Sequence, residues 1–85
     1  MNPYPKLASG IEINQVEDGY VIYQQEKDRV HYLNHTAVIV LESCTGKNTV
    51  DDIVQIVQDV FDLPESPGKD VQECLESLIK EGIVF

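Results

Sequence analysis

Arg29-Val30-His31-Tyr32-Leu33-Asn34-His35-Thr36-Ala37 is the stretch in which one kind of local order gives way to another. Val30 and Tyr32 alternate with Arg29, His31 and Leu33, the period of two that a pleated strand imposes. At Asn34 the period changes. Its side-chain oxygen is suited to accept a bond from an otherwise unpaired amide of a first helical turn. Ala37, Val40, Leu41 and Cys44 then follow at helical spacing. A strand therefore ends and a helix begins within this stretch, and the chain divides there into a β half and an α half.

Upstream the strand signals continue. Ile11 and Ile13 alternate with Glu12 and Asn14. Asp18-Gly19 offers the backbone freedom of a tight hairpin. Tyr20-Val21-Ile22-Tyr23 is aromatic and β-branched, as a pleated surface favours, and Glu26-Lys27-Asp28 reads as a polar turn. Three strands joined by short turns predict an antiparallel meander. Residues 1–10, with Pro3, Pro5 and a closing Ser9-Gly10, read as an extended N-terminal arm, leaving residues 11–85 as the folded domain.

Downstream, Gly46 is expected to end the first helix in a C-terminal capping position. Val38 and Ile39 lie off its apolar stripe. Either the helix is buried on more than one side, or Ile39 meets a partner. Thr49 opens a second helix, with Asp52 placed as the reciprocal member of a capping box. Its expected apolar stripe is Val50, Ile53, Val54, Val57, Val60 and Phe61. A third helix starts between Ser66 and Asp70. Pro67 fits its first turn, while Asp70 followed by Glu73 is an alternative capping signal. Val71, Leu75 and Leu78 form the core stripe, flanked by Cys74 and Ile79. Gly82 stops the helix, and the apolar tail Ile83-Val84-Phe85 is expected to pack. Strands followed by helices predict an α+β fold with helices covering one sheet face.

Composition narrows the function. The chain has 85 residues, with 6 basic and 15 acidic side chains and a net charge of −9. Chains of this size bury a limited share of their surface, which leaves little room for a deep catalytic pocket. The negative field repels phosphate backbones, so a winged-helix nucleic-acid binder is the weaker reading. No long apolar run predicts a membrane span, and the first residues lack the apolar stretch of a signal peptide. The expectation is a cytoplasmic protein. Cys44 and Cys74 do not form a disulfide pattern and read as reduced packing residues. His31 and His35 fall on different elements, which argues against a metal pair. No nucleophile with a base, phosphate loop or acid/base couple stands out. The expectation is a non-enzyme with no cofactor.

What remains is an interaction surface. In a three-stranded meander the first and third strands are edges. Arg29–Leu33 carries neither the proline nor the lysine that usually protects an edge. Such an edge can accept a strand from an extended peptide. It can also be covered by the chain's own arm or by a dimer mate.

Leu33-Asn34-His35-Thr36-Ala37, with Gly46, Thr49-Val50, Ile53, Asp70-Val71, Leu75, Leu78 and Gly82-Ile83-Val84, resembles the PqqD family, the RiPP recognition elements of modified-peptide biosynthesis. The resemblance covers residues 11–85. It implies a winged-helix-like fold of three strands and three helices. It further implies a peptide chaperone that binds the leader segment of a ribosomally made precursor by strand addition. The leader would lie along the third strand, in the groove beside the third helix. Carried over by position, the peptide-binding residues are Arg29, Val30, His31, Tyr32, Asp70, Val71, Cys74 and Leu78. The implied second partner is a modifying enzyme, in the namesake pathway a radical SAM enzyme. The alternative is a lasso-peptide leader peptidase.

Overall fold

A computed structural model describes residues 2–85. Three strands, β1 (Ile11–Val16), β2 (Gly19–Gln24) and β3 (Arg29–Leu33), pair antiparallel in chain order. Three helices follow: α1 (His35–Glu42), α2 (Val50–Val60) and α3 (Gly68–Lys80). The fold is the expected α+β, winged-helix-like meander followed by helices.

The register is continuous, from Ile11↔Gln24 to Val16↔Gly19 on one side of β2 and from Tyr20↔Leu33 to Gln24↔Arg29 on the other. Ile22 is fully buried, so its neighbours in register, Ile13 and His31, share the face turned to the helices. Val21, Tyr23, Val30 and Tyr32 take the opposite face. The first turn sits one residue earlier than the Asp-Gly signal implies: Glu17 and Asp18 form it, and Gly19 is already in β2. Glycine is needed at 19 because a Cβ there would lie 2.8 Å from the Leu33 carbonyl oxygen.

Asn34 caps α1, its Oδ1 accepting from the Ala37 amide at 2.8 Å. Val38, Val40 and Leu41 are all buried, and α1 lies against α2, α3, β2 and β3. The helix is therefore interior on more than one side. It ends at Ser43 and not at Gly46; Cys44 follows the helix and Gly46 packs on the Lys6 side chain. The capping box of α2 forms as expected: the Asp52 amide donates to Thr49 Oγ1 at 3.1 Å, and the Thr49 amide donates to Asp52 Oδ2 at 2.9 Å. Only Ile53 and Val57 of its stripe are fully buried, while Val60 and Phe61 are exposed. The stripe runs on past the point where α2 has neighbours to pack against.

Pro67 is the N-cap of α3 and lies before its first turn; its carbonyl accepts from the Val71 amide at 2.9 Å. Asp70 makes no cap bond and sits in the first turn, where its charge suits the helix dipole. Val71, Leu75 and Leu78 enter one core with Ile22, Val40, Leu41, Ile53 and Val57. At the far end the Gly82 amide bonds Ile79 O at 3.0 Å and the Ile83 amide bonds Leu78 O at 2.9 Å. With Gly82 at φ +75° this is the paired Schellman closure. Ile83 and Val84 pack fully, whereas Phe85 stays exposed.

Among the described residues, the N-terminal arm does not cover a sheet edge. Lys6 and Phe85 exchange amide-to-carbonyl bonds at 2.8 and 2.9 Å, and the Ala8 amide bonds Ile83 O at 2.8 Å. The Leu7 amide reaches Cys44 O at 2.9 Å. The arm thus stitches the C-terminal tail to the loop after α1, on the helical side of the molecule.

Candidate functional site

The edge of β3 is open. Among the described residues, no backbone bond reaches Arg29–Leu33 from outside the sheet. Parity identifies which groups are free. In an antiparallel ladder a residue turns both its N–H and its C=O to one neighbour, and the next residue turns to the other side. The Gln25 amide bonds Gly10 O at 3.1 Å, in register with β1. Tyr23 and Val21 therefore bond β1, and Gln24, Ile22 and Tyr20 bond β3. Their partners Arg29, His31 and Leu33 are used within the sheet. Val30 and Tyr32 are left with N–H and C=O directed outward. His31 is consequently not a position whose amide faces a ligand.

No Cα of β3 comes within 8 Å of a Cα of α3, and the two elements are joined by side chains at one end. Arg29 meets Glu81, just past α3, at 3.4 Å. Gln24 is 4% exposed; its Nε2 donates to Glu81 O at 3.0 Å and its Oε1 lies 2.7 Å from His31 Nε2. With the amide oriented by Glu81, the imidazole Nε2 must carry the proton of that bond. Lys27 Nζ adds a second donor to Glu81 O at 3.2 Å. This clamp joins the sheet to the end of α3 and holds the His31 ring.

The sequence-derived residues divide into groups. Arg29 is exposed and His31 half-buried, both on the helix-facing side. Val30 and Tyr32 are 57% and 80% exposed on the opposite face, so at the open edge they offer their backbone and not their side chains to the helical side. Asp70 is exposed at the start of α3. Val71 and Leu78 are buried in the core, and of these three α3 positions Cys74 alone is half-buried. Burial pushes the Cys74 thiol up, and the Cys44 thiol up to about 11 with a smaller contribution from nearby Cys74. Both are thus protonated at neutral pH, which makes them poor nucleophiles and poor metal ligands. Among the described residues no group of three or more His, Cys, Asp or Glu is placed to hold a metal ion. No helix among them is long and apolar enough to cross a membrane.

Gln24 and Glu81 escaped the sequence reading. Gln24 was within reach, because it stands two residues after Ile22 and shares its inward parity. Glu81 carries no local signal, since its role rests on a contact 57 residues distant.

Three antiparallel strands with an open β3 edge, tied by the Gln24–Glu81 clamp to the end of α3, define a small α+β domain. The chain belongs to the PqqD family: the model of Coenzyme PQQ synthesis protein D (PqqD) matches residues 19–84. It is also similar to a solved structure described as "Lasso peptide synthetase B1 complexed with the leader peptide". That likeness has a TM-score of 0.75 at 19% identity and covers 96% of this chain and 98% of that one. At this identity the likeness is one of fold. No curated protein matches the chain.

Proposed function

We propose that this protein is a non-catalytic peptide chaperone of ribosomally made, modified peptides. It captures the leader segment of a precursor as a strand added to β3 and presents the precursor to a modifying enzyme. The observation that carries this reading is the outward N–H and C=O of Val30 and Tyr32 along the open edge of β3. Main-chain bonds to these groups supply affinity, and leader side chains turned toward α3 supply selectivity. Arg29, His31, Cys74 and Asp70 line that side, and Val71 and Leu78 support it from the core. The gain comes from effective concentration, because binding leader and enzyme together makes their encounter intramolecular.

The enzyme is a radical SAM protein in the family's namesake pathway. The fold likeness to a lasso B1 protein favours a second assignment, in which the enzyme is a leader peptidase. The neighbouring genes distinguish the two. The test of leader capture is calorimetric titration of this protein with the leader of the precursor encoded in its gene cluster. Saturable 1:1 binding that weakens in Val30→Pro supports the reading, and absence of binding to the wild-type protein refutes it.

A further inference from the structure

The outer face of the sheet carries apolar side chains that neither the core nor the open edge of β3 uses. Val16, Val30 and Tyr32 are 40%, 57% and 80% exposed. Half-buried Val21 and Tyr23 lie between them, in register with Tyr32 and Val30. Isolated apolar residues are ordinary on a surface; a contiguous group on one sheet face marks an interaction site.

At the hairpin end this face is hollow. Gly19, in register with Val16, has no side chain, and the place of a Cβ there is closed by the Leu33 carbonyl. A cavity of about 380 Å³ opens at this end, lined by Val16, the Glu17-Asp18-Gly19 turn, and Tyr32, Leu33 and Asn34. Neither carboxylate has an ion-pair or side-chain hydrogen-bond partner among the described residues. Glu12 and Asp28 border the opposite end of the face, Asp28 accepting from the Tyr23 hydroxyl. The basic groups nearest in sequence are engaged elsewhere, Lys27 and Arg29 both at Glu81.

We propose that this outer face is the docking surface for the modifying enzyme. Its partner surface has an apolar centre and a basic rim, and one Lys or Arg enters the hollow over the Tyr32 ring and between the carboxylates. An aromatic face and a carboxylate both attract such a cation. Charge selects this occupant. A second copy would bring the same four carboxylates across a two-fold axis, in a chain already at −9, and an anionic membrane or nucleic acid would be repelled. The inference rests on the leader-binding reading for the identity of the partner. It assigns edge and face of one sheet to two partners, so both can be held at once.

The test uses the intact protein, the modifying enzyme encoded beside it and the cluster's leader peptide, each titrated separately by calorimetry. Glu17→Lys/Asp18→Lys lies in the exposed β1–β2 turn, outside the hydrogen-bonding edge of β3. It is expected to weaken enzyme binding at least about tenfold at low salt, less at high salt, with leader affinity held within about twofold. Tyr32→Ser is expected to weaken enzyme binding at both salt concentrations. Unchanged enzyme affinity in both variants overturns the proposal, as does absence of wild-type enzyme binding. A parallel loss of leader affinity in the charge-reversed variant also overturns it, by moving the face into the leader site. A wild-type dimer in sedimentation that the same variant dissociates would make the occupant a second copy. If enzyme binding is lost in the variants but wild-type protein never binds leader, the docking surface stands and the leader reading falls.

Discussion

Replacing Gln24 by alanine removes the buried clamp between the sheet and the end of α3. Two hydrogen bonds disappear, to Glu81 O at 3.0 Å and from His31 Nε2 at 2.7 Å. Each contributes about 1 kcal/mol net. The stranded partners are not left bare, since Glu81 O keeps Lys27 Nζ at 3.2 Å and His31 is half-buried, within reach of water. The full desolvation penalty therefore does not apply. Loss of the packed stem adds about 0.8 kcal/mol per buried methylene. The expected destabilisation is about 2–3 kcal/mol, a large part of the roughly 4–13 kcal/mol ordinary for 85 residues. Urea denaturation followed by circular dichroism measures it, with Gln24→Leu separating packing from hydrogen bonding. A double-mutant cycle with His31→Ala should return a coupling near 1 kcal/mol. A Gln24→Ala loss under about 0.5 kcal/mol, or a coupling of zero, would refute the clamp.

Proline at two adjacent positions of β3 should act oppositely. Val30→Pro removes an edge donor, leaves folding nearly intact and weakens leader binding by about 0.5–1.5 kcal/mol. His31→Pro breaks the β2–β3 ladder and costs about 3 kcal/mol or more of stability; paired denaturation and titration distinguish the two. Thr49→Ala should cost about 1 kcal/mol through loss of the α2 capping box, measured by denaturation. Cys44 has its pKa raised from 9.0 to about 11 by burial. Its contribution is fully present below pH 9 and is lost as pH rises toward 11, a change on the order of 2–3 kcal/mol. The stability gap between wild type and Cys44→Ala should shrink over that window; a constant gap would contradict the assignment.

Local periodicity carried the fold where a boundary is enforced by residues next to it. Asn34, the Thr49 and Asp52 pair, and Gly82 act within a few residues of themselves, so their roles were legible in the sequence. The readings that shifted depend on distant neighbours. Val60 and Phe61 continue the α2 stripe but have nothing to pack against, and Pro67 became a cap and not a first-turn residue. The arm was legible as extended, but its partners are residues 44–46 and 83–85, which no local signal links to it. At the candidate site the strand was legible, but the direction of each amide was not. That direction is set by register with β2, which also places Val30 and Tyr32 on the outer face.

Strand addition is tested most directly by amide hydrogen exchange of β3, residue by residue, with and without the cluster's leader peptide. The account predicts strong slowing at Val30 and Tyr32, whose amides are open in the free protein. His31 and Leu33, already bonded to β2, should change little. A saturated complex in which Val30 and Tyr32 exchange as fast as in the free protein would contradict it.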